Sequence, residues 1–589
     1  NQIKRPETAL PLLQQLARLG TGGKHPNNVY KELMAMIKNH SLLPQPMEVE
    51  VPYVKESMKT SILLPHELFA SIYADYPLTF KRVIMGGNSL ALQNVWSSAK
   101  SHPCMESHPL LHRVNWTQKC IPLALHGDEV PVIGVGKVWS RLFLVLSWYS
   151  LLSGSTSAST AESLFYTWSG QEKSFESGEH GTLPTIMKIL RWSFMALWEG
   201  TWPTHSWTGV KTLSEFTCLS FPSGTLHHLL FFFLPLLLHY LLVLPFWSST
   251  RIRGCAKAGT PLAGGYFACL FALVGDMDYF CKHLGLPRWS RHSNPCSLCQ
   301  ATYRGSLSWL DCRLDAPWLA TCWKPDAWRL SPSSTCPLLD LPGVSACNVG
   351  MDLFHVKYLG WMQYFYGRVL HLLCFGILPG TPLHNLSLCD SFIKKFQTDA
   401  GTKYRYARPL NKLSMFVRKK DYPKLRGKGA ELMDLGPAFL ALWSKYMKPI
   451  LVHKQIKLVL KLNDDMEKVL RDFSPKDGFF AVPEPEAMKL REISFSMAAL
   501  HVQLSEHFAA ENVKVFNVTP KTHFTLHSAY LAVHVHPHLL WCYKGEDMMG
   551  KVSALLKSCL RGRSPTHMAS AAALKYRLAL HLAFQKMQN

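Results

Sequence analysis

Between Leu226 and Trp247 the chain reads Leu-His-His-Leu-Leu-Phe-Phe-Phe-Leu-Pro-Leu-Leu-Leu-His-Tyr-Leu-Leu-Val-Leu-Pro-Phe-Trp, with Arg251, Arg253 and Lys257 just beyond it. A run of this length is about what a helix needs to cross a bilayer, and cations on one flank are what a cytoplasmic end carries. A spanning helix would commit the whole chain to a membrane fold. Two prolines and three histidines lie inside the run, however, and the sequence on both sides has a soluble character. Two readings stay open: a membrane protein anchored by 226–247, or an apolar insertion near 218–255 that interrupts a soluble domain resuming near Gly259.

The 589 residues are too many for a single core, so several packed units are expected. Apolar residues make up 48% and charged residues 17%, which is ample to bury and excludes general disorder. Lys and Arg number 63 against 40 Asp and Glu, a formal charge of +23 that favours polyanionic partners such as nucleic acid or an anionic membrane face. The 16 cysteines lack the dense spacing of a secreted disulfide scaffold, which suggests a reducing, intracellular setting.

Residues 1–115 mix short amphipathic stretches with Pro and His and are expected to form a small, mostly helical region. Ile121 to Asp128 is an apolar run ending in Gly-Asp, and Lys137 to Tyr149 is a second run rich in β-formers, so two adjacent strands are predicted. Ser153 to His180 is rich in Ser, Thr, Gly and Glu and reads as a loop, after which Leu183 to Trp198 regains a helical period. Tyr266 to Val274 is a further strand, ending in Gly275-Asp276. Residues 285–350 read as an irregular insertion, and 352–378, 439–470 and 485–508 as helices.

The chemistry-bearing motifs are spread along this frame. Asp352-x-x-His355 places a carboxylate and an imidazole on one helix face, where they can converge on a metal ion or a reacting phosphate; the same spacing also suits an Asp capping a helix start. Asp128 follows a strand. Glu546 opens a helix in Trp541-Cys-Tyr-Lys-Gly-Glu546. Carboxylates from distant segments are what two Mg or Mn ions require in phosphoryl transfer to or from DNA. Cys296-x-x-Cys299 would suit zinc with a later Cys or His completing four ligands, and two buried free thiols fit it equally. Lys403, Arg405, Arg408, Lys412, Arg418, Lys419, Lys420, Lys424, Arg426 and Lys428, interleaved with Tyr404, Tyr406 and Tyr422, form a basic segment suited to tracking a phosphate backbone and stacking on bases. His534, His536 and His538 read as a His-rich surface stretch.

Taken in order, Asp128, Gly275-Asp276, Cys296-x-x-Cys299, Met351-Asp352-x-x-His355, Lys521-Thr-His523-x-x-x-His527 and Trp541-Cys-Tyr-Lys-Gly-Glu546 resemble the DDE-type transposases, most closely the plant-type CACTA group. The resemblance covers roughly residues 120 to 560. It implies an α+β fold with a ribonuclease-H-like mixed sheet core at 116–365, broken by the apolar insertion and a Cys-bearing insertion near 285–350. A helical insertion at 366–520 would carry the basic segment 403–428, and C-terminal helices at 521–589 would complete the core. It also implies a nuclear, Mg- or Mn-dependent enzyme that cleaves and joins DNA, as a homo-oligomer or as the inactive descendant of such an enzyme. Asp128, Asp352 and Glu546 would hold the ions, with His355 and His523 or His527 near the scissile phosphate. Glu431 is a rival for the third acid and Asp276 for the first. A non-catalytic DNA-binding protein is the remaining alternative.

Overall fold

The computed structural model describes residues 43–88, 90–133, 140–156, 158–211, 257–290, 295–322, 336–419, 421–559 and 565–588, with isolated positions before them. The apolar run 226–247 lies outside the described residues, as does Lys420. Among the described residues no helix is long and apolar enough to cross a membrane.

The chain folds as α+β around a mixed sheet. A hairpin of β1 (Met47–Pro52) and β2 (Ser57–Ile62) comes first, followed by α1 (Pro65–Asp75) and α2 (Ala91–Ala99). The N-terminal region therefore holds a strand pair as well as helices. The central sheet is built from β3 (Cys120–Ile133), β4 (Ser140–Ser150), β5 (Phe165–Gln171) and β6 (Phe267–Gly275), in the order β5-β4-β3-β6. β3 and β4 are antiparallel, as are β4 and β5, while β6 runs parallel to β3.

The expected loop 153–180 thus contains an edge strand. Its residues, Phe-Tyr-Thr-Trp-Ser-Gly-Gln, include four β-formers in a row, a signal outweighed by the polar sequence around it. Beyond β6, Val349 makes a parallel bridge to Leu273 and the Gly350 N–H donates to the Leu273 carbonyl at 2.8 Å. That contact fixes the chain just before Asp352 at the outer edge of β6.

β6 is buried at every one of its 9 positions. Successive side chains of a strand point to opposite faces, so burial throughout means that both faces of the sheet are covered here. α3 (Thr182–Glu199) packs against β6, and two C-terminal helices described below pack against β3 and β5. α4 (Met277–His283) follows β6 directly. Residues 295–322 and 336–350 form the irregular insertion, with only short 3-10 turns.

The second half is helical, as its apolar periods predict. α5 comprises Phe354–Met362, Gln363–Leu372 and Leu373–Ile377, with the wide π-type turn in its outer stretches and a kink at Gly360, whose φ of −112° and ψ of −105° are not helical. α6 (Pro382–Asp399), α7 (Gly436–Tyr446), α8 (Leu451–Asp472) and α9 (Glu484–Ala510) follow, α8 packing along α9. α10 (Pro520–Leu531) packs on the start of α5, α11 (Tyr543–Lys557) on β3, and α12 (Pro565–Gln588) on β2 and β5. The C-terminal helices therefore close back onto the sheet.

Candidate acidic site and Cys-His cluster

Gly127 of β3 and Gly275 of β6 are direct partners in the parallel pairing, so the two Gly-Asp dipeptides stand side by side, Asp128 inside β3 and Asp276 just past the end of β6. Asp128 is 9% exposed, and its Oδ1 accepts from the Glu129 N–H at 2.7 Å. Asp276 caps α4, its Oδ1 accepting from the Tyr279 N–H at 2.7 Å. Burial pushes the Asp128 carboxyl up to about 8, with the neighbouring Asp276 and Glu546 carboxylates adding to the rise. Burial raises Asp276 as well. Acids crowded this closely out of water raise one another, and the His355 imidazolium offsets them only in part, which is an environment a divalent cation suits.

Asp352, immediately beyond the bridge to β6, is 3% exposed and accepts four N–H bonds. Its Oδ1 takes the N–H groups of Cys542 at 2.8 Å and Phe354 at 3.0 Å. Its Oδ2 takes His355 Nδ1 at 2.5 Å and the His355 N–H at 3.3 Å. The other ring nitrogen of His355 lies 3.4 Å from Glu546 Oε1 in the first turn of α11. Burial works to raise Asp352, but the His355 ring and the Cys542 N–H more than offset it and hold the carboxyl below its ordinary value. Burial likewise opposes charging His355, yet Asp352 and Glu546 lift it to about 10, so it is an imidazolium at neutral pH.

Folding therefore gathers Asp128, Asp276, Asp352, His355 and Glu546 into one cluster from segments more than 400 residues apart. Asp352, His355 and Cys542 are also mutually close enough to share a metal ion. Both Asp352 oxygens are nevertheless taken up by N–H donors, while Asp128, Asp276 and Glu546 each keep accepting capacity. Glu431 is not part of the cluster: its Oε2 accepts from the Lys428 N–H at 2.9 Å, in a capping box at the start of the short helix Gly429–Met433.

His523 and His527 do not face the acids either. They are one turn apart on α10 and point at the cysteine pair: Cys299 Sγ lies 3.3 Å from His523 Nε2, Cys296 Sγ 3.4 Å from His527 Nε2, and the two Nε2 atoms 3.0 Å from each other. All four residues are buried and their ligand atoms lie within 4.8 Å of one another. In a tetrahedral site with zinc–sulfur and zinc–nitrogen bonds of about 2.3 and 2.0 Å, neighbouring ligand atoms are about 3.3 to 3.8 Å apart. The cluster is therefore metal-sized. The Trp318 ring covers it, with centroids 4.4 Å from His523 and 5.3 Å from His527. The Cys-x-x-Cys was legible; its histidine partners were not, because they lie over 220 residues away.

Most of the basic segment is exposed, including Lys403, Arg405, Arg408, Lys412, Arg418, Lys419, Arg426 and Lys428. Lys424 is half-buried. Tyr406 is buried, its hydroxyl donating to the Arg426 carbonyl, so it cannot stack on a base; Tyr404 and Tyr422 are partly open. His536 is buried and His538 stacks on Trp541 at 3.9 Å, which replaces the surface stretch expected there.

A third group, Glu129, Glu172 and His283, is also compact, with His283 Nε2 3.2 Å from Glu129 Oε1 and 2.9 Å from Glu172 Oε1. Lys282 Nζ, at 3.0 Å from the same Glu129 oxygen, already supplies cationic charge there, so this is an ion-pair cluster. No protein-family model matches the chain, and no curated protein matches it.

Proposed function

We propose that this chain is a DDE-type transposase, or a descendant of one, that cleaves and joins DNA by metal-assisted phosphoryl transfer on a ribonuclease-H-like core. The observation that carries the reading is the convergence of Asp128, Asp276 and Glu546 beside the charged Asp352–His355 pair. A mixed sheet with a strand-borne Asp at its centre and a Gly-Asp strand next to it is what such a core supplies. Asp128, Asp276 and Glu546 would hold Mg or Mn, whose oxygen preference they meet. Asp276 thus takes the part expected of Asp352, because the two Asp352 oxygens already accept four N–H bonds.

A divalent ion bound there stabilises the attacking and leaving oxygens of an in-line displacement. The protein's own contribution lies in positioning. Asp352 orders the start of α5 and the Cys542 peptide that opens α11, and keeps His355 charged. His355 in turn holds the Glu546 carboxylate toward the strand-borne acids. The basic segment would bind the DNA backbone, and a DNA-active protein of this kind would work in the nucleus.

For the second cluster we propose zinc bound by Cys296, Cys299, His523 and His527. Its role is to tie the irregular insertion to α10, since a buried structural zinc contributes directly to folding.

The test is nicking of supercoiled DNA in Mg or Mn. Wild-type chain should nick, whereas Asp128→Asn and Asp276→Asn should lose at least a hundredfold in rate with unchanged circular dichroism. Nicking by both variants at the wild-type rate would refute the assignment. Zinc is read separately by elemental analysis: one equivalent is expected, falling to none in Cys296→Ser/Cys299→Ser. An inactive chain with its zinc intact and with DNA binding retained would favour the non-catalytic DNA-binding reading.

A further inference from the structure

Lysines flank the acidic cluster along one face of α5. His355 and Gly360 are five residues apart in the wide-turned stretch; the helix kinks at Gly360, and beyond the kink Tyr364 and Arg368 lie four residues apart on one side. Lys521, at the start of α10, crosses that face. Its Nζ donates to the His355 carbonyl at 3.0 Å, and a Cβ on residue 360 would lie 2.6 Å from Lys521 Cδ. Only a glycine at 360 leaves room for that lysine stem.

One turn further along stands Lys424, with its Nζ 4.9 Å from the Tyr364 ring centroid. Its position is built rather than loose. The Lys424 N–H donates to the Phe416 carbonyl at 2.8 Å and the Leu425 N–H to the Gln363 carbonyl at 3.0 Å. The Lys424 backbone presses against Gly367 so closely that a Cβ there would be 2.8 Å from Lys424 Cα. Arg368 continues the line, its Cζ 5.6 Å from the same Tyr364 ring. Burial, then Lys521, then Arg418 hold the Lys424 ammonium down to about 8, so the two lysines feel each other. Among the described residues neither forms an ion pair with a carboxylate.

Asp352, Asp276 and Asp278 partly offset the Lys521 ammonium and Asp421 that of Lys424, but none pairs with it, and a half-buried ammonium left unpaired is costly unless an anion completes it. Beyond the kink, from Gly360 to Arg368 the helix rises about 12 Å, the length of roughly three to four steps of a nucleic-acid strand. We infer that Lys521 and Lys424 grip the phosphate backbone of the DNA strand that leaves the acidic cluster along α5. This rests on the DNA-cleavage reading and sharpens it. Of the basic segment, Lys424 is the cation that meets substrate nearest the chemistry.

The experiment is fluorescence anisotropy with the full chain and a labelled duplex carrying a single-stranded end, in divalent-free buffer over a series of KCl concentrations. Lys424→Gln and Lys521→Gln should each weaken binding three- to tenfold and reduce the slope of log affinity against log salt by about one, as loss of one phosphate contact does. Lys424→Arg should restore both, and Lys55→Gln, at an exposed lysine in the turn between β1 and β2, should change neither. Zinc content and melting temperature check Lys521→Gln, and if that variant misfolds, the Lys424 pair decides. Wild-type binding with an unaltered salt slope in Lys424→Gln overturns this inference alone. No DNA binding by the wild type overturns it together with the reading beneath it. Binding of anionic phospholipid vesicles in place of DNA overturns it too.

Discussion

A methyl group at position 127 would lie 2.0 Å from the Tyr279 ring; one at position 275 would lie 2.2 Å from that ring and 2.8 Å from the Gly127 carbonyl oxygen. Tyr279 belongs to α4, which Asp276 caps, so a single aromatic ring clamps both strands where the two acids emerge. A flexible side chain could swing away, but the carbonyl at 275 cannot. Gly275→Ala should therefore cost about 1 to 3 kcal/mol by overpacking and push the strands apart. The expected signature is a modest drop in denaturant midpoint with a much larger loss of Mg-dependent nicking. An alanine variant with wild-type stability and rate would show that the clamp is not tight.

The residue scale was also the most legible in the sequence. Asp352 and His355 are three apart, and at that spacing their hydrogen bond follows from helix geometry alone. Gly275-Asp276 stands at a strand end as expected, whereas Gly127-Asp128, read as the end of a strand, lies inside β3, which runs on to Ile133. That they are partners was not visible, because strand register between segments some 150 residues apart leaves no local trace. Glu431 and Glu546 looked alike as first-turn acids, and only the tertiary fold shows that one caps its own helix while the other reaches His355.

Among the elements, α5 and α8 are joined by charges in a place where charges are expensive. Lys357 on α5 is fully buried and donates to Glu467 of α8, whose other oxygen accepts from the Tyr358 hydroxyl at 3.2 Å. Removing one partner leaves the other charge buried and alone, so Glu467→Gln should destabilise by about 3 to 5 kcal/mol. Replacing both, as Lys357→Met with Glu467→Leu, should recover most of that loss. A double variant no more stable than the single one would mean that the pair sets the alignment of α5 and α8 rather than merely surviving burial. Element type followed the sequence wherever an apolar period was long: α5 and α9 fall where their patterns put them, while the single helix expected over 439–470 is broken between α7 and α8, where Pro449 interrupts it. It failed where a short element sat in polar surroundings, as with β5, or where a motif had its partner elsewhere. The spacing of His523 and His527 shows a helix face, and nothing local tells whether that face meets a phosphate or a pair of thiols.

Across the whole molecule, three short turns share one device. His102, His108 and His536 each precede a proline, and each accepts through Nδ1 from the N–H two residues on, at 3.1, 3.0 and 3.0 Å. The proline supplies the fixed φ and the ring nitrogen satisfies an orphan donor, so the imidazole caps the turn as an Asn or Ser would. An acceptor nitrogen cannot carry a proton. Burial holds His102 and His536 down to about 3 and His108 to about 4. His66, with Nδ1 2.8 Å from Ser193 Oγ, is held by burial at about 3.

In the unfolded chain these rings titrate near 6.5. Their folded values are lower, so the unfolded state binds more protons in acid; the stability they contribute is complete above about pH 6.5 and is lost as pH falls toward 4. Glu67, which burial raises to about 7, works in the opposite sense across the same window. His126, held by burial at about 4, adds to the histidine side and Asp276, raised by burial, to the carboxyl side; the histidines outnumber the carboxyls, and each is worth somewhat under 2 kcal/mol between pH 6.5 and 5. A net loss on the order of a few kcal/mol is a large part of the stability of many folded domains. The melting temperature should therefore fall steeply below pH 6.5, with unfolding near pH 5. Measuring it in Asp128→Asn keeps the most strongly shifted acid of the acidic cluster from titrating in the same range. His108→Asn, which keeps an acceptor but cannot protonate, should flatten the slope by about one quarter to one third. A melting temperature flat from pH 7 to pH 5 would mean that these rings do not cap their turns as neutral acceptors.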